Sequence, residues 1–291
     1  MGLAPADPGV EADVLTVEGV GVRLGGRQVL SDVGFRIAAG ELTGLIGSNG
    51  AGKTTLFRVI LGLLAPSRGR VLLDGRPLRR GSRRIGYVPQ KISLDPDAPL
   101  RARDLVALGL DGHRLGFALP SAGRRRRVEE MLEAVDATHF ADSRVGTLSG
   151  GEAQRVMIAH ALISGPKLLL ADEPLANLDI SSGQEVTALL TRLAREQNVA
   201  VLISAHEINP LLPVMDRVVY LAGGRAASGP TGEVVTTETL SRLYGHPVEV
   251  LRVHGRVLVV AGPSEADEYS ETAVHHGGND LEDQVARGWP W

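Results

Sequence analysis

The chain has 291 residues, enough for one or two domains and a sizeable apolar core. Its 31 basic and 34 acidic side chains leave a formal net charge of -3, so no polycationic surface favours nucleic acid as a ligand. Cysteine is absent, which excludes disulfides, thiolate zinc sites and cysteine nucleophiles and fits a reducing cytoplasm. The N-terminus does not have the pattern of a secretory signal, and no apolar run approaches the ~20 residues of a membrane-spanning helix, so we expect any membrane role to be peripheral.

Short strands bounded by glycine open the chain after a predicted flexible leader at residues 1–12, which is rich in proline, alanine, glycine and acids. The strands are predicted at 13–18, 33–37 and 41–46. A helix is expected from residue 52 to about 64, stopped by Pro66, and two more strands follow at 70–73 and 84–88.

The middle of the chain has helical patterns and no strand pattern, unlike the segments on either side of it. Helices are predicted near 101–110, 124–136 and 150–163, so we expect a helical subdomain at about 91–163, inserted in the core. Apolar strands at 167–171, 199–204 and 217–221 then alternate with a helix at 181–196, which is typical of parallel βαβ units.

The last part of the chain is expected to lie outside the α/β core. Residues 246–262 are predicted to form a C-terminal β extension, a hairpin around His254-Gly255, and residues 263–291 to form a disordered tail, because they are polar and acidic.

A phosphate-binding loop is the most specific motif, and it lies between an apolar strand and a helix as that motif requires. Its glycines let backbone N–H groups wrap phosphate oxygens, and the helix N-terminus adds positive potential. The lysine can reach the β and γ phosphates and the first threonine can ligate magnesium. The predicted ATP-binding residues are Gly47, Ser48, Asn49, Gly50, Ala51, Gly52, Lys53, Thr54 and Thr55.

Two adjacent carboxylates, Asp172 and Glu173, end the apolar strand that opens at Lys167. The carboxyl ends of parallel strands form the crevice where such folds bind ligands. Asp172 is therefore predicted to hold magnesium and Glu173 to take a proton from attacking water. An Asp-Glu pair alone would usually be a solvated turn, but a phosphate loop upstream favours catalysis.

The segment Leu148-Ser149-Gly150-Gly151-Glu152, just ahead of the acidic strand, resembles the signature of the ATP-binding-cassette (ABC) family. Ser149 and the following N–H groups open a predicted helix and so form a second anion site. In the family this site closes on the γ-phosphate bound by the opposite subunit, which implies a head-to-tail dimer that sandwiches two nucleotides.

The resemblance covers roughly residues 13–230 and implies an α/β fold with a P-loop NTPase core of the ABC-ATPase kind. That core would carry an N-terminal antiparallel β subdomain and an inserted α-helical subdomain, in an ATPase domain at 13–245. ATP and Mg²⁺ are the implied substrate and cofactor, and ATP hydrolysis is the implied activity.

Three further residues match family positions in the correct order. Gln90 resembles the glutamine that contacts magnesium and links the core to the helical insert. Asp179 resembles the D-loop aspartate that couples the two active sites, although a simple helix cap is the alternative. His206 resembles the switch histidine that orients the γ-phosphate and water. The resemblance thus implies Lys53, Gln90, Glu173 and His206 as catalytic residues and Thr54, Gln90 and Asp172 as magnesium ligands.

Leu24 departs from the family pattern, because an aromatic residue commonly stacks on adenine at this position. Leucine offers apolar surface but no π face, so we expect weaker or less base-selective nucleotide binding.

The transported substrate is suggested by family analogy only. Residues 94–106, 209–213 and 243–246 resemble subunits of zinc, manganese or iron-chelate importers. Expected partners are a second copy of the chain, an integral membrane permease and an extracytoplasmic substrate-binding protein, with the chain on the cytoplasmic face of the membrane. An exporter subunit or a soluble ABC ATPase remain the alternatives.

Overall fold

A computed structural model describes residues 13–90, 99–111 and 121–261. The predicted leader and tail, together with residues 91–98 and 112–120 of the predicted helical subdomain, lie outside the described residues. The strands are β1 (Asp13–Leu24), β2 (Arg27–Ala38), β3 (Leu42–Ile46), β4 (Arg68–Leu73), β5 (Arg76–Pro77), β6 (Ile85–Val88), β7 (Leu168–Asp172), β8 (Ala200–Ala205), β9 (Arg217–Ala222), β10 (Arg225–Pro230), β11 (Val248–Val253) and β12 (Arg256–Ala261). The α-helices are α1 (Lys53–Ile60), α2 (Ala102–Asp111), α3 (Ala122–Ala134), α4 (Gly150–Leu162), α5 (Ile180–Gln197), α6 (Thr231–Val234) and α7 (Thr237–Tyr244).

An antiparallel sheet in the order β2-β1-β4-β5 forms the N-terminal β subdomain that the sequence predicts. β1 continues to Leu24 and pairs with β2 around the Gly25-Gly26 turn, so it is twice as long as predicted. The prediction stopped at Glu18 because glycine usually bounds a strand. Here the pairing register shifts between Val17 and Val20 instead, so the strand passes through an irregularity and continues.

The second sheet is the α/β core, with strand order β10-β9-β3-β8-β7-β6. The strands from β9 to β6 pair in parallel, and β10 pairs antiparallel with β9 at one edge. β3 and β7 are buried along their whole length, which explains their continuous apolar sequences. Leu56, Phe57 and Ile60 of α1 pack into the same core. The predicted fold class is confirmed.

α1 ends earlier than the sequence predicts, and glycine rather than Pro66 is the reason. Gly62 has a φ of 68° and donates its N–H to the Val59 carbonyl, while Leu63 N–H reaches back to the Arg58 carbonyl at 2.8 Å. This pair of bonds is the Schellman motif, which terminates a helix once a left-handed residue follows it. The helix therefore ends at Ile60, four residues before the expected position.

α2, α3 and α4 form the described part of the inserted helical subdomain. Side chains join the three helices through backbone carbonyl groups: His160 Nδ1 lies 2.9 Å from Leu105 O, and Arg127 Nε donates to Ile163 O at 3.1 Å. In the described part of the chain, no helix is both long and apolar enough to cross a bilayer.

The contacts divide the chain into two units, with the division between Val235 and Thr236. α7 therefore groups with the β11–β12 hairpin, whereas the predicted boundary falls after residue 245. Two α7 hydroxyls explain this grouping: Thr237 Oγ1 accepts from Val250 N at 3.0 Å, and Ser241 Oγ accepts from Val248 N at 2.9 Å. β11 and β12 pair antiparallel on either side of the His254-Gly255 turn.

Candidate functional site

The phosphate-loop pattern lies between the end of β3 at Ile46 and the start of α1 at Lys53. Gly47 passes so close to β9 that a Cβ there would lie 2.4 Å from the Leu221 carbonyl oxygen, so only glycine fits. Gly52 precedes α1 with a φ of 109° and has no side chain to accept from the first N–H groups of the helix. Those N–H groups can therefore bind an anion such as phosphate.

Most of the other loop residues are accessible to solvent, as residues that contact phosphates must be. Thr54 is exposed and Thr55 is half-buried, whereas Ala51 is buried against the core. The tip of the loop is exposed, and it consists of Ser48, Asn49 and Gly50.

Lys53 is buried, with 6% of its side chain exposed. Its Nζ donates to Gly47 O at 2.6 Å and to Ser48 O at 3.4 Å, and it lies 3.9 Å from Glu173 Oε1. Burial lowers the pKa of Lys53 because it penalises the ammonium form, while the negative charges of Glu173 and Asp172 raise it in part. The amine is thus fixed beside the loop and faces the acidic pair.

The Glu173 carboxylate is the centre of a polar cluster built from four separate segments. Its Oε2 accepts from Gln90 Nε2, which follows β6, and lies 2.7 Å from His206 Nε2, which follows β8. Its Oε1 faces Lys53 at the start of α1. Sequence reasoning predicted each of these four residues separately, and the fold brings them together. A carboxylate with three such neighbours can accept a proton from water held in the same place.

The contacts of His206 indicate which ring nitrogen carries the proton. Nε2 faces Glu173, an acceptor, and Nδ1 lies 3.5 Å from the Lys53 Nζ, a donor. The neutral tautomer with hydrogen on Nε2 satisfies both contacts. His206 can therefore connect the carboxylate with the lysine without taking a charge.

Two hydroxyl groups that the sequence analysis missed bind the acidic pair. Ser204 Oγ donates to Asp172 Oδ1 at 2.6 Å and accepts from the Glu173 N–H at 2.9 Å. Tyr87 OH donates to Asp172 Oδ2 at 3.4 Å, and burial, together with the Asp172 charge, raises the pKa of Tyr87 to about 12. Ser204 pairs directly with Asp172 across β7 and β8, so only the register of these strands could have identified it.

The signature residues begin α4, where Leu148 precedes the cap. Ser149 Oγ accepts from Glu152 N at 3.3 Å and Glu152 Oε2 accepts from Ser149 N at 2.8 Å, which completes a capping box. Within residues 13–90, 99–111 and 121–261, no hydrogen bond or ion pair joins Ser149 or Glu152 to Lys53 or Glu173. The start of α4 and the Lys53–Glu173 cluster are thus not joined directly in the described part of the chain.

Asp179 caps α5, beside the signature. Its Oδ1 accepts from Ser182 N at 3.0 Å and its Oδ2 from Ser182 Oγ at 2.6 Å, and these bonds lower the pKa of Asp179. A Cβ on Gly151 would lie 3.3 Å from Ser182, and one on Gly150 would lie 3.1 Å from Leu178. The helix starts that carry the signature and the predicted D-loop are therefore in contact.

Leu24 is 41% exposed at the end of β1, beside the Gly25-Gly26 turn. Its side chain therefore presents apolar surface to solvent, as a contact for a nucleotide base would require.

Comparison with known sequences links this site to one family. The family model described as "ABC transporter" matches residues 30–176 of this chain. The zinc import ATP-binding protein ZnuC of Pseudomonas fluorescens is 35% identical over 83% of this chain and 86% of its own length. The manganese transport system ATP-binding protein MntB of Listeria innocua is 32% identical over 79% and 96%. The hemin import ATP-binding protein HmuV of Nocardia farcinica is 40% identical over 77% and 78%.

Solved structures give the same result. A chain of an ABC transporter described as metal-chelate type, in an inward-facing conformation, superposes with a TM-score of 0.71 at 27% identity and covers 87% of this chain and 98% of its own. A bacterial ABC transporter cassette solved as a dimer superposes with a TM-score of 0.62 at 31% identity over 74% of this chain and 98% of its own.

Proposed function

Because the chain belongs to the ABC transporter family, we propose that it is the subunit that energises import of a metal ion or metal chelate across a membrane. Binding and hydrolysis of ATP are its activity as a member of that family. The substrate class rests on one observation: three relatives, named for zinc import, manganese transport and hemin import, match at 32% identity or more over at least 77% of the chain.

We assign the triphosphate of ATP to the loop from Gly47 to Thr55. The N–H groups at the start of α1 would donate to phosphate oxygens, and Lys53 would neutralise their charge. This assignment is supported by the burial of Lys53, because its amine is already oriented by Gly47 and Ser48 and loses little conformational freedom when an anion binds.

The oxygen atoms beside the loop fit Mg²⁺, which prefers oxygen ligands in proteins. Gln90 donates its amide N–H to Glu173, so its carbonyl oxygen is free to act as a ligand. Thr54 is exposed, and Asp172 is held by Ser204 and Tyr87. We propose that Thr54, Gln90 and Asp172 hold the ion. When bound, it would neutralise charge on the phosphates.

We propose Glu173 as the general base. A water molecule that attacks the γ-phosphate would transfer a proton to the Glu173 carboxylate, while Gln90 and His206 hold that carboxylate in place. Glu173 has a φ of 50°, an unusual value for a residue other than glycine. Such backbone strain is found where neighbouring contacts fix a functional side chain, and the Ser204 bond to the Glu173 N–H is such a contact.

A second copy of the chain would complete each site. Ser149 and the N–H groups at the start of α4 would form an anion site; among the described residues no hydrogen bond joins Ser149 to Lys53, so the proposed head-to-tail dimer would give this site a phosphate to bind. A relative's cassette was solved as a dimer, which supports this assembly. The Gly150 and Gly151 contacts with the start of α5 would transmit a change at the signature to Asp179.

We further propose an integral membrane permease as partner, an extracytoplasmic binding protein as the source of the transported metal, and a peripheral position on the cytoplasmic face of the membrane. Nucleic acid is not a proposed partner. Coupling would pass through Gln90, which follows β6 and precedes the helical insert.

Uptake measurements test the substrate class. Cells that lack this subunit should accumulate less zinc, manganese or hemin; wild-type protein and Glu196→Gln should restore uptake, and Glu173→Gln should not. Glu196 is an exposed acid at the end of α5, so it is a matched control for the charge change. Unchanged accumulation of all three substrates, despite ATPase activity of the purified protein, would rule out metal import.

A further inference from the structure

The β11–β12 hairpin has two unlike faces. In its register Leu251 lies opposite Leu258, Glu249 opposite Val260, and Val253 opposite Arg256. Side chains alternate between the faces of a strand, so these six side chains lie on one face. That face has an apolar centre, with one acid and one arginine at diagonally opposite corners. We call it the outer face.

The other face of the hairpin is more deeply buried. Val248 and Val257 are 2% and 3% exposed, and α7 is bound to β11 through its Thr237 and Ser241 hydroxyls. Leu240 of α7 is fully buried. The hairpin therefore has its own support, and the outer face is not needed to hold it together.

The outer face carries an unusual amount of exposed apolar surface. Its four apolar side chains are 44% to 49% exposed. They are half of the eight exposed large apolar side chains among the residues that the structure describes. Scattered single exposed apolar residues are normal, but a contiguous cluster usually indicates a contact surface.

The size of this surface argues against a separate protein as its occupant. Stable complexes use roughly 20–30 residues on each side. Four half-exposed side chains fall well below that number. A segment tethered to the hairpin needs less surface, because its effective concentration is on the order of millimolar. The occupant is therefore best sought in the same chain.

Residues 262–291 are that segment, since they follow β12 directly. They contain both tryptophans of the sequence, Trp289 and Trp291. A flexible chain of 30 residues spans on the order of 30 Å, and a six-residue strand only about 20 Å, so a segment of this length is long enough for its tryptophans to reach any point on the face. Aromatic rings of this size bury more apolar area than any other side chain.

The net charges of residues 236–261 and 262–291 also favour contact between these two segments. Residues 236–261 carry three arginines and two glutamates, a net charge of +1, whereas residues 262–291 carry seven acids and one arginine, a net charge of -6. Opposite net charges bring the two segments together and offset the repulsion among the acids. Arg256 lies at a corner of the outer face, where these acids can pair with it.

We propose that residues 262–291 fold back onto the outer face of the hairpin and that Trp289 and Trp291 cover Leu251 and Leu258. The segment would thereby act as an intramolecular cover for the C-terminal unit, independently of ATP binding and of the transported substrate.

Intrinsic fluorescence tests this in the full chain, because the only two tryptophans report on the segment alone. In the wild type we expect blue-shifted emission with slow quenching by acrylamide. The double variant Leu251→Thr/Leu258→Thr keeps strand propensity and removes the apolar centre. It should shift emission to that of a water-exposed indole and raise the quenching rate several-fold. Leu63→Thr, at another exposed leucine, is the matched control and should change neither quantity.

Three results would overturn the proposal. The first is wild-type emission that already matches indole in water. The second is a double variant whose quenching equals that of the wild type. The third is protection of the tryptophans from acrylamide that depends on protein concentration, together with a mass in light scattering that is lower for the double variant than for the wild type. That result would assign the outer face to a second copy of the chain. Far-ultraviolet circular dichroism verifies that each variant is folded.

Discussion

The Glu173 N–H donates to the Ser204 hydroxyl at 2.9 Å, and the same hydroxyl donates to Asp172 at 2.6 Å. One fully buried serine on β8 therefore holds both acids that end β7. The bond also restrains the backbone of Glu173, whose φ is 50°. We infer that Ser204 is a positioning residue, because it reaches the proposed reaction only through the Asp172 carboxylate and the Glu173 backbone.

The variant Ser204→Ala should be less stable and less active. It leaves the Glu173 N–H without its partner, and an unsatisfied buried group costs about 1–3 kcal/mol. A positioning loss of about 1–2 kcal/mol lowers kcat by roughly 5- to 30-fold. Thermal unfolding and steady-state ATPase assays measure both effects. Ser228→Ala removes an exposed hydroxyl of β10 and should leave both unchanged. Wild-type kcat in Ser204→Ala would contradict the positioning role.

The variant Glu173→Gln should bind ATP but hydrolyse it slowly. Glutamine keeps the shape of the side chain and removes its capacity to take a proton, so we expect a fall of about 10²- to 10⁴-fold in kcat. Nucleotide affinity by fluorescence titration and phosphate release by a coupled assay separate binding from chemistry. If turnover stays near the wild-type value, another group is the general base.

The variant Ser149→Asp distinguishes the role of Ser149 as a helix cap from its proposed role in binding phosphate. Aspartate caps a helix about as well as serine, but at this position it would lie beside the Glu152 carboxylate, to which Ser149 Oγ donates at 2.9 Å, so we expect a loss of about 0.5 kcal/mol in stability. Its negative charge would repel the γ-phosphate of the opposite site, so ATPase activity should be lost. Ser121→Asp makes the same change at the cap of α3, which Ser121 provides through Arg124 N at 3.1 Å, and should leave activity intact. Equal activity of the two variants would refute a nucleotide contact at Ser149.

The Tyr87 hydroxyl should lose its proton at a higher pH than an ordinary tyrosine. Burial and Asp172 raise the pKa of Tyr87 to about 12, whereas its ordinary value is 10.0. An acid whose pKa rises on folding keeps its proton longer in the folded state, so its contribution to stability is present below pH 10 and is lost as the pH rises from 10 to about 12. Spectrophotometric titration of phenolate should show a component at high pH that Tyr87→Phe removes. Loss of an early tyrosine in that variant would contradict the assignment.

The variant Leu24→Tyr should bind adenine nucleotides more tightly. A stacked aromatic ring is worth about 0.5–1.5 kcal/mol beyond its buried area, which corresponds to roughly 2- to 10-fold in affinity. ATP and GTP affinities of the wild type and the variant measure the change and its base selectivity. Unchanged affinities would show that Leu24 does not contact the base.

Strong local patterns predicted the fold well. The apolar runs of β3, β7 and β8 and the phosphate-loop pattern identify the α/β core, since they are buried strands and a strand-to-helix turn. Element ends were less predictable. The end of α1 depends on Gly62 adopting a left-handed conformation, and the length of β1 depends on pairing with β2, so neither follows from residue types alone. The antiparallel strand β10 carries only weak strand propensity, because its sequence is rich in alanine, glycine and serine.

The sequence motifs identify the residues of the proposed site but not their geometry. The motifs gave Lys53, Gln90, Glu173 and His206, and the register of four strands places these residues around one carboxylate. Ser204 and Tyr87 stayed undetected, because a serine and a tyrosine in apolar strands show no chemical pattern before their neighbours are known.

The bond from the Gln90 amide to Glu173 has a mechanical consequence. Gln90 lies two residues after β6 and directly before the predicted helical insert, so a displacement from that side would break this bond and leave His206 as the remaining neighbour of Glu173 Oε2. A membrane partner that displaced the helical subdomain would thereby move the proposed general base and, through the Gln90 carbonyl oxygen, the proposed magnesium site together.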